Sequence, residues 1–371
     1  MRYASKAMIP LLVLALAVLL ARPAQAAESD VLVRQGEALE LDKLTEAAGE
    51  YAPGDAGAQV DLNEGLQSIL DTGSAALWGV VRKAVRSGIL LLTVVLLCAL
   101  GDGAYSGTGF GTSLEIVPIV GALAITAVAV TDVSSLIGMG RQALDSMDSF
   151  SKVLLPTLAA ATAASGAVTT ATVQQVSTVF FVDLLLRLIR QLLLPLVYLY
   201  IGLLTAAACL PENRLGAIAE ALKKLVTWIL TTALLVFTIY LSIVRIISGS
   251  ADSATVKVAK AAISGVVPVV GGIIADASET VLAGAGMLKN TIGVFGMLAI
   301  LAACAYPFLQ LGVQYLLYKL TAYLASVVGA PGLCKLIDGL GGAFGLILGM
   351  TGGCALLLLI SVLASVGAVM P

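Results

Sequence analysis

The chain has 371 residues, of which 59% are hydrophobic and only 12% charged, with a mean hydropathy of +1.02. A soluble domain carries about 25% charged residues, so this composition excludes a soluble globular or disordered chain and leaves a polytopic, all-α membrane protein. A net charge of −2 excludes a basic nucleic-acid-binding surface, and the absence of histidine excludes histidine metal ligands and Ser-His or Cys-His catalysis.

The N-terminus predicts a cleaved signal peptide over residues 1–26. Arg2 and Lys6 form a positive start, and Ile9 to Leu20 an apolar run too short for a comfortable span. Ala24-Gln25-Ala26 then supplies a small-x-small cleavage site. Residues 27–84 form an acidic, extracytoplasmic segment. Its charge is concentrated before residue 72, where the acidic side chains far outnumber Arg34 and Lys43. Leu41, Leu44, Ala48 and Tyr51 share one helical face, and Leu62, Leu66, Ile69 and Leu70 another. Pro53-Gly54-Asp55 marks a turn between them. Asp61 with Glu64 three residues later predicts a helix start of the capping-box type.

Residues 85–371 form the multipass domain. Apolar runs separated by glycine, proline or charge predict six to eight membrane segments, some short or re-entrant. Trp78 beside Arg82, Lys83 and Arg86 is an interfacial anchor pattern. Residues 153–179 are rich in Ala, Ser and Thr, which places them inside the bundle or in a partial span. Leu192–Leu210 and Leu225–Ile247 are the clearest spans. The five cysteines form no Cys-x-x-Cys pair and read as free, small hydrophobes.

Three constellations stand out. Asp183, Arg187 and Arg190 are spaced by four and three, so one helical face carries all three. Charge at membrane depth is costly and usually faces a wet interior; the alternative is an interfacial ion pair with a snorkelling arginine. In the first case, deleting Asp183 strands a buried charge at a cost of about 3–5 kcal/mol. Pro268, Gly271 and Gly272 interrupt an apolar run just before Asp276 and Glu279. That pattern suits a broken helix of the kind found at transporter sites. Gly341, Gly345, Gly349 and Gly353 recur every fourth residue, which predicts one smooth helical face for close packing. No nucleophile lies near a plausible base, so catalysis is not expected, and no pattern calls for a metal or cofactor.

The stretch from Gly265 to Gly296, which reads VVPVVGGIIADASETVLAGAG and then MLKNTIGVFG after its first glycine, resembles the signature region of the stage III sporulation protein AE family. The resemblance extends over most of the chain and includes the signal peptide, the acidic pre-membrane segment, the Pro211-Glu-Asn-Arg214 connector and the glycine-rich last span. It implies a multipass protein of endospore-forming bacteria, made in the mother cell and placed in the membrane around the forespore. It further implies a subunit of a channel or secretion-like assembly, required for spore development. Its partners would be membrane lipid, ring-forming membrane proteins and a cytoplasmic ATPase of the same assembly. The family brings no catalytic residues. The competing expectation is a stand-alone secondary transporter or permease with its site near Asp276 and Glu279.

Overall fold

The computed structural model describes residues 34–51, 54, 56, 61–106, 116–210, 214–266, 271–328 and 331–367, with the backbone alone at 50, 76, 104–106, 116, 214, 245, 248–266 and 271–280. Residues 1–26, expected from the sequence to be a signal peptide, and Pro268 lie outside the described residues, as do the side chains of Asp276 and Glu279 and the surroundings of Gly271 and Gly272. Among the described residues all regular structure is helical: α1 (Leu41–Ala48), α2 (Leu62–Ser106), α3 (Ile116–Ala164), α4 (Val168–Leu188), α5 (Leu194–Cys209), α6 (Arg214–Val266), α7 (Gly271–Val328) and α8 (Pro331–Val366). A five-residue π-turn, Ile189–Leu193, joins α4 to α5 without a break.

Six helical stretches among the described residues are long and apolar enough to cross a membrane. These are Leu62–Gly103, Val117–Ala164, Val168–Cys209, Leu215–Val244, Val281–Val328 and Pro331–Val366. Where the sequence predicts some short or re-entrant segments, the helices are long. At 1.5 Å per residue α7 alone extends about 87 Å, well beyond a hydrocarbon core of about 30 Å. Charge and proline do not end these helices: a polar side chain needs only a suitable face, and Pro156 and Pro307 each forgo a single ladder hydrogen bond inside α3 and α7. Thus α2 runs straight through residue 84, where the sequence pattern sets the boundary between acidic segment and membrane domain.

The helix ends are built locally. Asp61 caps α2, its Oδ1 accepting from the Asn63 N–H at 2.8 Å. The C-terminus of α3 closes through Gly166 N–H to Ala163 O at 3.0 Å and Ala167 N–H to Thr162 O at 3.2 Å. This paired pattern requires a left-handed residue, and Gly166 has φ 96°. α4 therefore starts inside the stretch 153–179 that reads as one segment. α5 ends in extended backbone at Leu210, the conformation imposed by the adjoining Pro211.

The membrane helices alternate in direction. Asp132 and Phe150 of α3 meet Tyr318 and Phe295 of α7, so these two are antiparallel. Gly121 and Gly140 of α3 lie against Leu333 and Ile347 of α8, so those two are parallel. Gly65 and Gly88 of α2 lie against Leu298 and Thr321 of α7, also parallel. The core is formed around α7 and α8, which pack most extensively on each other. The most apolar window of α8 is 61% buried within the protein, against 22% for that of α6. α1 buries Leu41, Leu44 and Ala48 as its periodicity predicts, and packs on α3.

Candidate functional site

Glycine sets how closely α8 approaches its neighbours. A Cβ on Gly341 would sit 3.1 Å from the Tyr318 Cβ and 3.6 Å from the backbone N of Lys319. A Cβ on Gly345 would sit 3.1 Å from the Tyr315 ring. Both positions face α7. Gly353, by contrast, faces Leu234 of α6 at 3.1 Å, and Gly349 faces Leu230 at 3.6 Å. The four glycines therefore do not form one face toward one neighbour. Four residues advance an α-helix by one turn plus about 40°, so the row winds from α7 to α6 over its length.

The close α7–α8 contact holds a polar layer in the bundle. Gln314 Nε2 and Tyr318 Oη donate to the same carboxylate oxygen, Asp132 Oδ2, at 3.0 and 3.1 Å. All three side chains are buried. Tyr318 stacks edge-on against Phe344, centroids 4.9 Å apart. Nearby on α8, Gly339 O accepts from Tyr200 Oη of α5 at 3.0 Å, and Asp338 pairs with Lys319 at 2.6 Å. Thr126 of α3 and Thr205 of α5 share a hydrogen bond of 3.1 Å.

The Asp183, Arg187 and Arg190 trio is divided. Asp183 and Arg187 pair at 2.8 Å one turn apart, and both are more than half exposed on the outer face of α4. Arg190 departs from that face because it lies in the π-turn. The i→i+5 turn inserts a residue and rotates the next residues out of 3.6-residue register. Pro195, which has no N–H to give to the ladder, stands at the start of α5. Arg190 instead reaches α3, where it pairs with Asp145 and lies 3.6 Å from Asp148. Asp148 also pairs with Lys152 at 3.0 Å. Beside this cluster a cavity of about 400 Å³ opens under α1, lined by Ala48 and Tyr51 together with Gln142, Asp145 and Ile300.

The family model for stage III sporulation protein AE matches residues 59–369. The chain belongs to this family. A curated relative, the stage III sporulation protein AE of Bacillus subtilis (strain 168), is 26% identical over 255 residues. That match covers 67% of this chain and 62% of the relative. No solved structure matches the chain. The family region takes in α2 through α8 whole, and with them the signature stretch from Gly265 to Gly296; α1 precedes it. As a member of this family with six candidate spans, the protein is a membrane protein of sporulation.

Sequence reasoning misses Asp132, Gln314 and Tyr318. Asp132 is a lone acid in a stretch with no charged neighbour at helical spacing, and its partners come from 182 and 186 residues away. The available signal is on α7, where Gln310, Gln314 and Tyr318 repeat every four residues in an apolar helix. None of the five cysteines is in a disulfide, as expected from their spacing.

Proposed function

We propose that this protein is a non-enzymatic membrane subunit of a channel or secretion-like assembly joining mother cell and forespore, required for endospore formation. The observation that carries this reading is the family match over residues 59–369. The outer face of α4 supports it. Asp183 and Arg187 lie within the candidate span Val168–Cys209 yet point away from their own bundle. Lipid is a poor neighbour for that pair, so this face turns to a wet conduit or to another subunit. Ring-forming membrane proteins and a cytoplasmic ATPase of the same assembly are the proposed partners, in the membrane around the forespore.

A clean deletion of the gene should block spore formation after engulfment, with the forespore failing to stay inflated. Normal sporulation in the deletion strain overturns the reading. Gradient-driven uptake of a small solute by the purified protein in liposomes, with no partner present, would favour a self-contained transporter instead.

A further inference from the structure

Two deficits lie along one stripe of α7, one on the stripe itself and one held against it from α3. Gln310, Gln314 and Tyr318 succeed one another at intervals of four, so they line one side of the helix. Gln314 and Tyr318 both donate to Asp132 Oδ2. The two lone pairs of that one oxygen receive both donors, and in its ionised form the group is an acceptor only. Asp132 is only 9% exposed, and none of the salt bridges among the described residues includes it. Lys319, next in sequence to Tyr318, is committed to Asp338 at 2.6 Å. The first deficit is therefore a positive charge, because a buried carboxylate is held only by neutral donors. The second is at Gln310, one turn away on the same stripe. It is 7% exposed, and its Oε1 is buried without a hydrogen-bond partner.

We propose that Asp132, Gln310, Gln314 and Tyr318 form a binding site for one dehydrated alkali-metal cation, sodium or potassium. The ligating atoms are oxygens: the Asp132 carboxylate, the Gln310 carboxamide oxygen and the Tyr318 phenol, while the Gln314 amide N–H holds the carboxylate in place. Such oxygens replace the hydration shell of an alkali cation inside a membrane protein. The set brings one negative charge, so a single positive charge leaves the layer neutral, and a divalent ion would not. The cation supplies the charge that Asp132 lacks and the partner that Gln310 Oε1 lacks. The site does not depend on what the assembly conducts.

The test is thermal unfolding of the purified full chain in detergent, with choline chloride replaced by sodium or potassium chloride at constant ionic strength. A saturable rise of about 2–4 °C in one alkali salt is expected. Asp132→Asn, which keeps the shape of the side chain, should abolish the rise, and Gln310→Leu should weaken it several-fold. Should Asp132→Asn fail to fold, Gln310→Leu decides, because it removes only an unpartnered acceptor. The absence of any alkali response in the unsubstituted chain overturns the site. So does a full response in Gln310→Leu. A pH-dependent shift without cation dependence, lost in Asp132→Asn, also overturns it, since the group then takes a proton.

Discussion

Asp183 and Asp132 both sit in helices long and apolar enough to cross a membrane, yet the fold treats them in opposite ways. Asp183 has a cation one turn along its own helix, and the pair stands exposed on the outside of the bundle. Asp132 is buried between α3 and α7 and is held by neutral donors from a distant part of the chain. The outer face of α4 is chemically complete within one helix and incomplete toward its surroundings. The α3–α7–α8 interior is packed closely, and its buried carboxylate is held only by neutral donors. Spacing along the chain reveals the first kind of site and hides the second.

The largest effect is expected where helices approach most closely in that interior. Gly341→Leu forces a side chain into Tyr318 and the α7 backbone. Overpacking of this kind costs about 1–3 kcal/mol or more, and should appear as a collapse of membrane-extracted folded protein in a fluorescence-detected sizing assay. Gly349→Ala meets only an ordinary contact with Leu230 at 3.6 Å and should leave the same assay unchanged. Equal sensitivity at both positions would contradict the winding of the glycine row from α7 to α6.

Asp132→Leu comes next. It strands the Gln314 and Tyr318 donors, and an unsatisfied buried donor costs about 1–3 kcal/mol. Adding Tyr318→Phe should recover part of the lost unfolding temperature. A strictly additive double substitution would separate the two groups and dissolve the layer.

Arg190→Ala should cost about 1 kcal/mol or less, since its partner Asp145 is largely exposed. Its signature is a coupling to Asp145→Ala in a double-mutant cycle, with none to Asp183→Ala. Coupling to Asp183 would restore the single charged face that the spacing suggests.

The smallest intrinsic effect belongs to Asp183→Ala. With both partners more than half exposed, the purified chain should lose about 0–1 kcal/mol, well below the cost of stranding a buried charge. Sporulation frequency should nonetheless fall tenfold or more if the face meets a conduit or another subunit. A variant that is stable and sporulates normally would leave this pair without a role.

By itself the sequence determined what depends on composition and on neighbours within a turn or two. The charge deficit set the membrane class, and Asp61 and the spacing of Leu41, Leu44 and Ala48 set local helix starts and faces. The i→i+4 spacing paired Asp183 with Arg187. The tertiary structure decided which faces are inside. In helices apolar all round, periodicity carries little contrast between a lipid face and a helix face, so nothing local marks α8 as central. It also decided where Arg190 points, because a π-turn breaks the 3.6-residue period that the spacing assumes. Asp132 acquires its partners only when α3 and α7 pack antiparallel, and a lone carboxylate carries no trace in its own neighbourhood of donors arriving from 182 and 186 residues away.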